Sequence, residues 1–232
     1  MTQETLNKQI VITAILLVAV ILFFDFTNID RFVQDLFYNF ETNSWIVSIY
    51  EDKVAKFIFY DGFKKLFKVF YLLTIIFLIL SFFKRFPILH SYRKNILIFG
   101  LSLLLVPSLA GLKSVTNMPC PDEIIEYGGK YPNVRLFGSY PEDNTPLKRV
   151  KCYPAGHAVL GFSLMALYFL FKIKRNKNIA LGVGITIGVL TGGYKMLIGH
   201  HFLSHTLVTM IGAWLIILIV TKIVNKIKKL ED

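Results

Sequence analysis

Six stretches of the 232-residue chain are dominated by apolar residues: 10–24, 66–83, 96–112, 157–171, 179–194 and 206–221. A membrane span needs roughly 17–25 predominantly apolar residues, so several runs reach that length only with interfacial residues added. The pattern predicts an all-α, polytopic membrane protein of about six transmembrane helices. The first run lacks a strong basic flank and a small-residue cleavage site, and Asp25 follows it directly. It is expected to be a retained anchor and not a signal peptide. Residues 25–65 mix aromatics with Asp25, Asp30, Asp35, Glu41, Glu51, Asp52 and Asp61. Their apolar runs are too interrupted to span, which predicts one or two helices lying in the interface. No internal repeat and no linker divides the chain, so residues 1–232 read as one integral-membrane domain with its core at 96–221.

Composition strengthens this picture. The chain is 54% hydrophobic with a formal net charge of +11, and soluble domains are rarely so apolar. The charge alone would suit nucleic acid. However, the basic residues flank apolar runs in short clusters and do not line a polar face, so the partner is the bilayer and not nucleic acid. Those clusters are Lys84, Arg85, Arg93 and Lys94, then Lys172, Lys174, Arg175 and Lys177, then Lys222, Lys226, Lys228 and Lys229. With six spans all three fall on one side, together with both termini, and the excess of Lys and Arg makes that side cytoplasmic. Segments 25–65, 113–156 and 195–205 face outward.

That outer layer gathers His157, His200, His201 and His205, four of the five histidines, with Lys113 and Lys195. His90 falls in a cytoplasmic loop and is expected to be solvated. Ionisable groups at a membrane edge are costly and point to function. Lysines and glycine-flanked backbone N–H groups bind anionic oxygens. The turn Pro154-Ala155-Gly156-His157 opens the fourth span, where the helix dipole favours an anion and Gly156 admits close approach. One imidazole there can attack phosphorus while another protonates the leaving oxygen. Two other classes compete with this reading. A metal or haem protein would use His157, His200, His201, His205, Cys120 and Cys152, but the lysines would repel a metal cation and no carboxylate adjoins the histidines in sequence. A non-catalytic lipid-binding or transport protein would bind the same lipids without releasing phosphate. The glycines of the fifth run (Gly182, Gly184, Gly188, Gly192 and Gly193) are expected to serve close helix packing.

The residues carry a resemblance to the type-2 phosphatidic acid phosphatase superfamily, which includes bacterial acid phosphatases and vanadium haloperoxidases. Its three motifs are K-x6-R-P, P-S-G-H and S-R-x5-H-x3-D. Here they stand as "KSVTNMPCP", "PAGH" and "YKMLIGHHFLSH", in the same order and at the same spacing. Among the departures from the pattern, Cys120 replaces Arg, Ala155 replaces Ser, Lys195 replaces Arg and His205 replaces Asp. The resemblance implies that His201 is the nucleophile, that His157 is the general acid and that His205 orients His201. Lys113, Lys195, Gly156 and Ala155 would form the phosphate cradle. Such chemistry needs neither cofactor nor metal. Lys148, Arg149 or Lys151 is expected to supply the charge lost at Cys120. His200 has no counterpart in the motifs and is expected to be a surface or headgroup histidine.

The resemblance further implies an enzyme of the bacterial inner membrane with its active site in the periplasm, acting on a lipid phosphate. Lipid A is the first candidate, then undecaprenyl pyrophosphate and phosphatidylglycerophosphate. A phosphotransferase of the same fold is the alternative. Lys130, Arg135, Lys148, Arg149 and Lys151 are candidates to hold a large anionic headgroup. Cys120 and Cys152, the only cysteines, both fall on the oxidising outer side and are expected to form a disulfide.

Overall fold

The computed structural model describes residues 2–47, 57 and 62–227. Glu51, Asp52 and Asp61 of the first outer segment, and Lys228 and Lys229 of the last basic cluster, lie outside the described residues. All six apolar runs lie in or along helical stretches. The first is α1 (Gln3–Phe26), whose N-cap Thr2 hydroxyl accepts from the Thr5 N–H. The outer segment follows as α2 (Ile29–Asp35) and a short antiparallel hairpin, β1 (Tyr38–Asn39) with β2 (Ser44–Trp45). Next come α3 (Gly62–Leu80), α4 (Pro87–Ser91) and α5 (Arg93–Leu105). Pro107 lacks an N–H, and the chain tightens there into a 3₁₀ stretch, Val106–Leu112, before the single turn of α6 (Lys113–Thr116). The fourth run forms α7 (Gly156–Ser163), a 3₁₀ turn and α8 (Leu167–Leu170). The last two are α9 (Lys174–Leu197) and α10 (Leu203–Val224).

Among the described residues, four helical stretches are long and apolar enough to cross a membrane: Gln3–Phe26, Arg93–Glu123, Lys174–Leu197 and Leu203–Val224. Gly156–Leu170 is shorter, and α3 carries Lys65 and Lys68 in its first two turns. The outward faces bear the mark of a lipid solvent. Val11, Ile15 and Val18 on α1, and Leu66, Leu72 and Ile79 on α3, are all exposed, far more apolar surface than water tolerates on one face. Hydroxyls within the helices bond back to the preceding turn, as Thr74 does to Phe70 O, Ser102 to Ile98 O and Thr221 to Ile217 O. Each is thereby satisfied where no water is available. The chain is an all-α polytopic membrane protein.

The core lies where α5, α7, α9 and α10 meet, around Leu103, Val106, Phe162, Met165, Ile217 and Leu218. Glycines set how closely these helices approach. A Cβ on Gly161 would stand 2.6 Å from Gly188 Cα, and one on Gly192 would stand 2.5 Å from the Thr206 methyl. Gly184 is likewise pressed against the Leu164–Met165 backbone, whereas Gly182 and Gly193 face open space. The expectation of close packing thus holds for three of the five glycines. The result is a short, buried α7 held between α9 and α10, which places its N-terminus beside the α9–α10 turn.

In the first outer segment, of which residues 48–56 and 58–61 lie outside the described residues, α2 is a short helix docked against the rest of the fold. Gln34 Nε2 donates to Met196 O at 2.8 Å. The Tyr127 hydroxyl, from the loop after α6, donates to Asp35 Oδ1 at 2.7 Å. Tyr38, Trp45, Tyr127 and Phe202 form an aromatic cluster over the α9–α10 turn. Gly199 has φ +74°, and the Trp45 ring fills the space a side chain would need.

Candidate active site

The three motif segments converge at one end of the bundle. Lys113, at the start of α6, lies across the N-terminus of α7: a Cβ on Gly156 would stand 3.1 Å from Lys113 Cε and 3.3 Å from its Nζ. That N-terminus has no side-chain cap, so its first N–H groups and the helix dipole face the same space as the ammonium. Lys195, in the last turn of α9, is almost wholly buried at 1% exposure.

His201 leaves the α9–α10 turn and is 3% exposed, and His205, one turn along on α10, is fully buried. Their Nδ1 atoms lie 3.4 Å apart. His201 Nδ1 is also 3.4 Å from Cys152 Sγ. Burial drives the His201 imidazole well below its ordinary value, helped by His205, Lys113, His157 and Lys195 in that order. His201 is therefore a neutral base at neutral pH, and all four motif partners act on it. Tyr153 packs edge-on against the His205 ring at 5.1 Å, and Phe202 does so at 5.5 Å.

Two of the departures, Ala155 and Cys120, find distinct accommodations. Ala155 is fully buried and its N–H donates to Thr209 Oγ1 at 2.9 Å. The Thr209 hydroxyl in turn donates to His205 O at 2.6 Å. Ala155 thus ties the second motif to the third through a residue that sequence reasoning missed. Cys120 is bonded to Cys152 as expected, with Cα atoms 5.2 Å apart. Of the cations expected to supply the charge lost at Cys120, Arg149 donates through its guanidinium to the Ser114 and Val115 carbonyls of α6. Lys148 and Lys151 are exposed. Arg135 is half-buried and donates to Asp25 O at 2.6 Å, and Lys130, Lys148, Arg149 and Lys151 are the exposed cations of that loop. The two cysteine sulfurs and a ring nitrogen of His201 fall within 4.8 Å of one another, the spacing of a metal site. Sulfurs bonded to each other, however, are not thiolate ligands.

Two further residues were not legible in the motifs. His200 is not a bare surface histidine: its ring lies between Lys195 and Asp122. Asp30, from α2, accepts from Ser204 N at 2.8 Å and so caps α10 from a distant segment, where Phe202 at the N-cap has no side-chain bond to offer. Burial raises the Asp30 carboxyl from 3.8 to about 6, against the opposing bonds from Ser204 and the charge of Arg135. The folded value lies above the unfolded one, so folding favours the proton. That stabilising contribution is complete below 3.8 and is lost as pH rises through about 6. Asp30→Asn keeps an acceptor for Ser204 and removes the titration. Its melting midpoint is expected to gain on the native protein's as pH is raised from about 4 to about 8. A midpoint difference that stays constant with pH would contradict this.

A comparison with protein-family models matches the PAP2 superfamily over residues 95–229. No curated protein and no solved structure matches the chain. The matched region covers more than half of the chain and contains all three motif segments, which the fold brings to one place. The chain belongs to the type-2 phosphatidic acid phosphatase superfamily.

Proposed function

We propose that the protein is a lipid phosphate phosphatase working at the outer face of the bacterial inner membrane through a phosphohistidine intermediate. Family membership supports a phosphatase or phosphotransferase acting on phosphate esters. The observation that carries the finer reading is the convergence of Lys113, His157, Lys195 and His205 on a buried, neutral His201. His201 Nδ1 and His205 Nδ1 lie 3.4 Å apart; in the tautomer that places the shared proton on His201 Nδ1, the His201 Nε2 lone pair is left to attack phosphorus. The bond from phosphorus to the leaving oxygen breaks, and His157 gives that oxygen its proton. Water then attacks the phosphohistidine, returning a proton to His157 and releasing phosphate. Lys113, Lys195 and the Gly156 end of α7 hold the three remaining oxygens, and stabilising their charge is the larger part of such catalysis. A lipid substrate is favoured by an apolar cavity of about 210 Å³ beside Pro154, lined by Leu17, Ile21, Leu112 and Val208, which suits the start of a lipid tail.

The test is phosphate release from lipid A, undecaprenyl pyrophosphate, phosphatidylglycerophosphate and phosphatidic acid in detergent, with chelator present throughout. Release from at least one lipid is expected. Activity that disappears with chelator and returns with a divalent ion would overturn the metal-free mechanism. Transfer of the phosphoryl group to an added lipid alcohol in place of water would identify the phosphotransferase. Gly156→Ala is a sharper probe of the cradle. Its methyl would crowd Lys113 without touching the core, so turnover is expected to fall by roughly 10-fold or more with the melting midpoint nearly unchanged. Native turnover in this variant would remove Lys113 from the cradle.

A further inference from the structure

His200 stands outside every motif position, yet it is built into the site. Its Nδ1 lies 3.2 Å from Lys195 Nζ, and its Nε2 lies 3.5 Å from Asp122 Oδ2. An ammonium only donates, so His200 Nδ1 must accept, and the ring proton then sits on Nε2 toward the carboxylate. Burial, then Lys195 and Lys113, lower the His200 imidazole to about 4, which keeps Nδ1 unprotonated at neutral pH. Asp122 is fixed in turn. Its N–H donates to Gly199 O at 2.9 Å, and it lies two residues beyond the disulfide-bonded Cys120. A continuous set of contacts therefore runs from a covalent anchor through Asp122 and His200 to a buried ammonium.

We propose that His200 is a positioning residue that aims the Lys195 ammonium at the substrate phosphate and is itself held by Asp122. This rests on the reading of Lys195 as a phosphate ligand given above. The physical need follows from the replacement of arginine by lysine in the third motif. A guanidinium is a rigid planar fork that fixes its own direction on a phosphate. A lysine is a point charge on a flexible four-carbon stem and does not. A neutral imidazole on one ammonium proton sets the direction of the stem and leaves its charge intact. A carboxylate in the same place would cancel that charge and repel the phosphate. The two adjacent histidines thus divide the work: His201 faces phosphorus, and His200 faces the lysine.

The test is a double-mutant cycle of His200→Leu and Lys195→Arg, read as kcat and KM on whichever panel lipid the native protein hydrolyses fastest. His200→Leu is expected to lower kcat about 10- to 100-fold in the native background, the effect of losing a hydrogen bond to a charged group. In the Lys195→Arg background the same change is expected to cost no more than about 3-fold, because the fork directs itself. A merely structural role for His200 predicts equal losses in the two backgrounds. His200→Asn, which keeps an acceptor near the Nδ1 position and perturbs packing least, is the second variant. Its rate is expected to lie well above that of His200→Leu. Equal losses in both backgrounds, an asparagine as damaging as leucine, or a native rate in His200→Leu would each overturn the inference and leave the proposed function standing. A native protein that releases phosphate from no lipid would overturn both.

Discussion

His201→Ala is expected to lower turnover by on the order of 10⁴–10⁶-fold, the range found when the nucleophile of a concerted active-site unit is removed. The expectation follows from the state of the ring. His201 is buried and is held neutral by burial and by the surrounding cations and imidazoles, so its lone pair is available without a prior proton transfer. Its Nδ1 faces His205 Nδ1 and Cys152 Sγ, both at 3.4 Å, which leaves Nε2 as the reacting atom. His157→Ala is expected to cost less, about 10²–10⁴-fold, because it removes general acid catalysis and leaves the nucleophile. A substrate whose leaving alcohol needs no proton, such as para-nitrophenyl phosphate, separates the roles. On it the His157 defect is expected to shrink and the His201 defect to persist. Acid-labile phosphoprotein trapped from the native enzyme is expected to be absent from His201→Ala. Near-native turnover in His201→Ala, or a phosphoprotein that survives the substitution, would overturn the nucleophile assignment.

The helices were legible because lipid imposes one rule on sequence: each span must be apolar along most of its length and satisfied within itself. That rule located all six runs, and loop charge gathered the histidines and lysines into one layer. It did not foresee the cap on that layer. The β1–β2 hairpin and the docking of α2 depend on contacts between segments far apart in the chain, Gln34 with Met196 and Tyr38 with Tyr127, and no local pattern encodes them.

The site was legible where chemistry needs a fixed spacing on one helix or turn, as for Lys195, His201 and His205. It was illegible where a role is filled from elsewhere. Asp30 caps α10 from the first outer segment, and nothing in its own neighbourhood distinguishes it from Asp25 or Asp35. Asp122 directly follows the Cys120-Pro121 pair, but its role depends on His200, a residue the motif comparison set aside. The basic loop held a second hidden set of contacts: Arg135 and Arg149 remain cations, and their guanidinium groups also donate to the carbonyls of Asp25, Ser114 and Val115, partners that no local pattern encodes.

Cutting the Cys120–Cys152 bond is expected to lower both stability and rate, with the rate lost first. The bond closes a loop with a sequence separation of 32, for which the chain-entropy account gives about 3–4 kcal/mol of stabilisation. The loop it closes carries the aromatic anchor Tyr127, and the bond itself fixes two parts of the site. Cys152 Sγ lies against His201 Nδ1, and Cys120 holds Asp122 beside His200. These contacts belong to the α9–α10 turn, which is also supported from outside the two helices by Trp45 and Gln34, by the Asp122 N–H on Gly199 O and by Asp30 on Ser204 N. A dithiol reductant adds two electrons and two protons to the bond, giving two thiols free to separate. The turn then loses its covalent support while the buried helices remain packed. Phosphate release is therefore expected to fall at temperatures well below the melting midpoint, and the midpoint itself is expected to drop. The double variant Cys120→Ser/Cys152→Ser is expected to show both defects from the start and to be indifferent to reductant. Native protein that keeps its full rate and midpoint after complete reduction, verified by titrating two free thiols, would show that the bond supports neither the site nor the fold.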